Sequence, residues 1–139
     1  EQFFNLFNHK NVRLFAIEVD NEMIGYIISW NMNNALFIEH FEVFEAFRNK
    51  KYGSKILSEF SKIHPHLILE SEPSNLDEIA SRRIAFYERN GFKIIDENYT
   101  QPAYGEDKNS LNLYLMSNFS INNLNATIKN IHQLVYSDL

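Results

Sequence analysis

Phe47-Arg48-Asn49-Lys50-Lys51-Tyr52-Gly53-Ser54-Lys55-Ile56-Leu57 runs a basic, glycine-containing turn directly into a helix. Tyr52, Ile56, Leu57, Phe60 and Ile63 recur at helical spacing and predict an amphipathic helix over 52–63, ended by Pro65. A helix start presents free backbone N–H groups and the positive end of the helix dipole. A glycine there lets a ligand come close to the main chain. Arg48, Lys50, Lys51 and Lys55 add cations to this start in a chain whose formal net charge is −5. The combination suits a pyrophosphate. Neither the P-loop pattern nor the three-glycine dinucleotide pattern is present, so the turn encodes neither of those sites.

Outward from this turn the chain alternates strands and helices. Val12–Val19, Met23–Trp30 and Ala35–Phe44 are rich in β-branched and aromatic residues and predict three strands. Asp20-Asn21-Glu22 and Asn31–Asn34 turn the chain between them, so these strands form an antiparallel meander. Residues 2–8 read as a short helix. After the 52–63 helix, His66–Glu70 is a short apolar strand. Leu76, Ile79, Ala80, Ile84 and Tyr87 mark a second helix, with Gly91 as its stop, free to take positive φ. Phe92–Asp96 and Leu111–Ser117 are two further strands, joined by a polar loop over 98–110. Ser120 is placed to cap a last helix whose stripe of Ile121, Leu124, Ile128, Ile131 and Val135 is expected to pack on its own domain.

The order β-β-β-α-β-α-β-β contains a strand-helix-strand unit, 35–44, 52–63 and 66–70, that calls for a parallel crossover in a sheet begun antiparallel. The expected fold class is α/β, a central mixed antiparallel and parallel sheet flanked by helices, in a single domain. A length of 139 residues, with 45% hydrophobic and 22% charged, suits that architecture.

Composition excludes several classes of function. Cysteine is absent, which removes disulfides, thiolate metal sites and cysteine nucleophiles. Net negative charge argues against nucleic-acid binding. No apolar run approaches the ~20 residues that span a bilayer, and no membrane partner is expected; a cytoplasmic location follows. His64-Pro65-His66 lacks carboxylate support and reads as loop, so no metal is expected. Asp77 and Glu78 are dipole partners at the second helix start.

The quoted turn resembles the coenzyme A motif of the Gcn5-related N-acetyltransferase (GNAT) family, [RQ]-x-x-G-x-[GA]. Arg48 and Gly53 match its ends, and Lys51 stands where the middle glycine is usual, crowding the turn or demanding a strained lysine. Phe37-Ile38-Glu39-His40-Phe41-Glu42-Val43 lies where the family has the strand whose backbone pairs with the pantetheine arm, which points to Phe41 and Val43. Ala85-Phe86-Tyr87-Glu88-Arg89-Asn90-Gly91-Phe92 resembles the family signature F-Y-x-x-x-G-F. The two motifs cover 35–92, and the strand order extends the likeness over about 12 to 117.

The resemblance implies acetyl transfer from acetyl-CoA, as cosubstrate, to an amine acceptor that is a small molecule or peptide. The implied cofactor-binding residues are Phe41, Val43, Arg48, Asn49, Lys50, Lys51, Tyr52, Gly53, Ser54 and Phe86. Tyr87 is implied as the general acid and Glu39 as the base, with His40 and Glu42 in reserve; those two face away from Glu39 unless a β-bulge intervenes. Tyr99, Gln101 and Tyr104 of the 98–110 loop are expected on the acceptor side. The acetyltransferase domain spans 1–118, with an amphipathic tail over 119–139, and a homodimer is left open. Lys51 and the short N-terminal portion also keep open a non-catalytic acyl-CoA-binding or interaction module of the same fold.

Overall fold

The structure is a computed structural model and describes residues 2–9, 11–103 and 109–136. The chain forms two compact units, residues 1–67 and 68–139.

The first unit is an antiparallel ladder in sequence order. Strands β1 (Gln2–His9), β2 (Val12–Val19), β3 (Glu22–Asn31) and β4 (Leu36–Val43) each pair with the next. The helix expected over 2–8 is therefore a strand: β1 pairs antiparallel with β2, from Gln2 opposite Glu18 to His9 opposite Val12, and this pairing with β2 overrides the local helical reading. Asp20 and Asn21 take φ of 52° and 66° between β2 and β3, the left-handed pair that a twisted two-residue hairpin demands. A short 3-10 turn, Glu45–Phe47, leads to α1 (Tyr52–Ile63), which matches the expected helix.

Ile56, Leu57 and Phe60 of α1 are buried with Ile17, Ile24, Ile27 and Phe37 of the strands. Phe60 receives the rings of Phe3 and Phe15 edge-on at 5.4 and 5.6 Å. Burying one such side chain contributes about 1.5–3 kcal/mol, so the helix is held by this face. After α1 the Leu36 N–H donates to the His66 carbonyl at 2.9 Å. The starts of β4 and of the next strand thus lie side by side, as a parallel crossover requires.

The second unit holds β5 (Leu67–Ser71, its first residue still in the first unit), α2 (Glu78–Arg89), β6 (Lys93–Gln101), β7 (Leu111–Ser117) and α3 (Leu124–Ile131), which continues as a π-helical turn over His132–Tyr136. β7 pairs antiparallel with both β5 and β6. The mixed α/β architecture is the one the element order called for.

β6 runs further than expected. Tyr99, Thr100 and Gln101 continue the ladder opposite Leu113, Asn112 and Leu111. Tyr99 is 1% exposed and donates its hydroxyl to Glu70 at 2.5 Å, so it is core and not loop. Gln101 also reaches Glu70, at 2.9 Å; Tyr104 lies outside the described residues. The last helix is capped by Asn123, whose side chain accepts from Ala126 N–H, and not by Ser120. Its continuation brings the buried Tyr136 hydroxyl to Glu70 at 2.7 Å, which ties the tail to its own unit.

Candidate active site

In the first unit the expected residues fall on β4 and on the turn into α1. The β3–β4 register pairs Ile28 with His40 and Ser29 with Ile38. Glu39 is therefore an extra residue in β4, a β-bulge. A bulge re-aims side chains, and its effect here is that neighbours in sequence meet: His40 Nε2 lies 3.6 Å from Glu39 Oε2. The Trp30 indole N–H donates to Glu39 Oε1 at 2.6 Å. By sequence alone Trp30 is the end of a strand. Only the shifted register brings it diagonally to Glu39.

Phe41 and Val43 follow the bulge, half-buried, paired with Ile27 and Gly25. A Cβ on Gly25 would stand 2.1 Å from the Glu42 carbonyl oxygen, so glycine is what lets β3 approach β4 here. Glu42 faces Tyr26, and hydrogen bonding to that carboxylate, then burial, raises the Tyr26 pKa above 10.0. Arg48 bends back onto the strand, with Nε donating to Val43 O at 2.8 Å and Nη2 lying 3.4 Å from Glu42 Oε1.

The turn itself is left-handed at two places, Asn49 at φ 65° and Lys51 at φ 63°. Lys51 thus adopts the backbone its missing glycine would take readily, at a cost of about 1–2 kcal/mol. Lys51 is the N-cap of α1 and gives no side-chain hydrogen bond to the first turn, which also lacks an acidic residue. α2 and α3 differ: Asp77 and Asn123 accept from their own first turns. The positive dipole end of α1 therefore meets no acidic side chain of its own first turn, which favours an anion there. Tyr52, Gly53 and Ser54 form that first turn, half-buried, with Tyr52 packed on Phe47 at 6.4 Å; Lys50 beside them is exposed.

In the second unit Phe86 and Tyr87 lie in the last turns of α2. Asn90 ends the helix and Gly91 follows at φ 90°. Gly91 N–H donates to Glu88 O at 3.1 Å and Phe92 N–H to Tyr87 O at 3.0 Å. These two bonds make a Schellman cap. Part of Tyr87 reaches solvent, yet protein crowds its phenol: burial pushes the pKa above the ordinary 10.0, with Arg83 opposing more weakly. A phenol so placed stays protonated at neutral pH and is available as a donor. Among the described residues no three metal-binding side chains gather, and no helix is long and apolar enough to cross a membrane.

Comparison with known proteins identifies the family and the fold. A family model described as an acetyltransferase (GNAT) domain matches residues 10–94. A solved protein from Bacteroides thetaiotaomicron, assigned to the GNAT family of acetyltransferases, is 31% identical over 91% of this chain and 74% of its own, with a TM-score of 0.86. A GNAT acetyltransferase from Elizabethkingia anophelis with acetyl-CoA bound shares the fold at 19% identity and TM-score 0.56, over 77% of this chain and 75% of its own. An N-acetyltransferase from Thermoplasma acidophilum in complex with coenzyme A does so at 18% and 0.57, over 79% and 62%. No curated protein matches the chain at a significant level.

Proposed function

The chain belongs to the GNAT acetyltransferase family, and on that premise we propose that it moves an acetyl group from acetyl-CoA to a primary amine. The observation that carries the reading is the start of α1, with no side-chain bond from its N-cap residue, no acidic residue in its first turn and a basic left-handed turn before it. The pyrophosphate of the coenzyme fits such a start, with Arg48, Asn49, Lys50, Lys51, Tyr52, Gly53 and Ser54 around it. The backbones of Phe41 and Val43 pair with the pantetheine amides, and Phe86 borders the thiol end. Residues 1–118 form the catalytic domain and 119–139 its tail, in a cytoplasmic enzyme.

Glu39 accepts the proton that the ammonium group must lose before nitrogen attacks the thioester carbon. Backbone N–H groups hold the developing oxyanion. As the C–S bond breaks, Tyr87 gives its proton to the departing thiolate. The acceptor is a cationic small amine, drawn by the carboxylates of β4.

Acetyl-CoA consumption measured over a panel of small amines, amino acids and peptide N-termini tests the reading. Turnover with an amine supports it, and absence of turnover together with a melting shift leaves an acyl-CoA-binding module. At 100 times its dissociation constant, acetyl-CoA should add about 2.7 kcal/mol of stability. No shift at millimolar concentration would remove the coenzyme site itself.

A further inference from the structure

We infer that Trp30 is the positioning residue for the catalytic carboxylate, an assignment that rests on the reading of Glu39 as the base. A base must hold one oxygen at the amine proton, and a glutamate has several torsions to restrain. The bulge makes this harder, because Glu39 is the extra residue that the β3–β4 register leaves unmatched. Trp30 supplies a side-chain anchor. It stands opposite Phe37 on the neighbouring strand, and its indole N–H reaches diagonally to Glu39 Oε1 at 2.6 Å.

Indole offers a donor and no acceptor, so the bond has one polarity. It occupies Oε1 and turns Oε2 toward His40, whose Nε2 is 3.6 Å away. The carboxylate is 18% exposed and the His40 side chain 56%. Oε2, with the titratable His40 ring beside it, is the oxygen assigned to the amine proton. The bulge sets the side on which Glu39 projects and the indole sets its torsion. Neither alone would fix the oxygen.

Trp30 is the chain's one tryptophan, which makes the test specific. Growth on a tryptophan isostere with sulfur in place of the ring N–H removes this donor with almost no change of shape. The isosteric protein and Trp30→Phe should both lose turnover by about 10- to 100-fold, the scale of a misplaced catalytic group. The Michaelis constant for acetyl-CoA should stay within about twofold, since that site is intact. Placed on Glu39→Gln, neither change should cost a further factor above about two, because the group it orients is already gone.

Tryptophan emission reads the bond independently of activity: Glu39→Leu, which removes the acceptor, should change it. Full turnover in the isosteric protein, a loss that persists on Glu39→Gln, or unchanged emission in Glu39→Leu would each overturn the inference. If Glu39→Gln itself keeps wild-type turnover, the base assignment falls and the inference with it. That pattern is distinct from an inactive Glu39→Gln beside an unaffected Trp30 variant, which overturns the inference alone.

Discussion

The Phe92 ring packs edge-on against Tyr87 at 5.6 Å, while the Phe92 N–H donates to the Tyr87 carbonyl at 3.0 Å. The same two residues are therefore joined by side chain and by main chain, across the Gly91 turn. Such a double tie is the hydrophobic contact that accompanies a Schellman cap. It gives the F-Y-x-x-x-G-F pattern a physical meaning. The glycine allows the cap, the last Phe closes it, and together they fix the ring of the Tyr.

Tyr87→Phe keeps both ties and removes only the hydroxyl. Stability should change by no more than about 1 kcal/mol, while turnover falls by about 10²–10⁴-fold if the phenol is the proton donor. Alkaline titration supplies a second check. The folded-state pKa is raised above 10.0, so the protonated phenol contributes stability that is present below that value and lost as pH rises through the folded pKa. Above pH 10 the variant should lose stability less steeply than the wild type in denaturant melts. Unchanged turnover would leave positioning as the whole of catalysis.

Two glycines should fail for different reasons. Alanine at Gly25 puts a methyl 2.1 Å from the Glu42 carbonyl oxygen, and a backbone neighbour cannot step aside cheaply; the loss should be at least about 3 kcal/mol. Alanine at Gly91 meets nothing within 4 Å, so only its φ of 90° is strained, at a cost of about 1–2 kcal/mol. Denaturant midpoints order the two variants.

Lys51 offers a comparison with charge held constant. Lys51→Ala and Lys51→Gly both remove the cation, but only glycine accepts φ 63° without strain. The glycine variant should be the more stable of the two by about 1 kcal/mol. Acetyl-CoA affinity, measured by calorimetry, should then separate the worth of the charge from the worth of the turn. Equal melting temperatures would show that the left-handed lysine stores no strain.

His64 should make the first unit sensitive to acid. Its ring lies against Phe60 and Phe15 at 4.9 and 6.1 Å, and burial, then the Arg13 cation, lowers its pKa below the ordinary 6.5. A depressed folded value means stability present above the unfolded pKa and lost as pH falls through the folded one. Below pH 6.5 the wild type should lose stability that His64→Phe retains, read as the slope of melting temperature against pH. Parallel slopes would assign the acid response elsewhere.

Much of this was legible in the residues. Val12–Val19 and Met23–Trp30 announce strands because their side chains suit a pleated, half-buried surface, and Asp20-Asn21 announces the turn because those residues tolerate left-handed backbone. Residues 2–9 were not legible as a strand, since their pairing is supplied by β2 and leaves no mark on their own periodicity. Tyr99 and Gln101 read as loop among polar neighbours, although their partner Glu70 is 29 and 31 positions earlier in the chain. The same limit hid Trp30. Its bond to Glu39 exists only because β4 carries one residue more than β3 opposite it.

Glu70 has a consequence for the order in which the chain is made. Its strand is otherwise buried, and its carboxylate draws donors from Tyr99, Gln101 and Tyr136, the last 66 residues downstream. During synthesis the early ladder of β1 to β4 can close step by step, each strand pairing with the one just finished. The Glu70 network closes late: Tyr99 and Gln101 follow it by 29 and 31 residues and Tyr136 by 66, so its last bond forms only after the π-helical turn has left the ribosome.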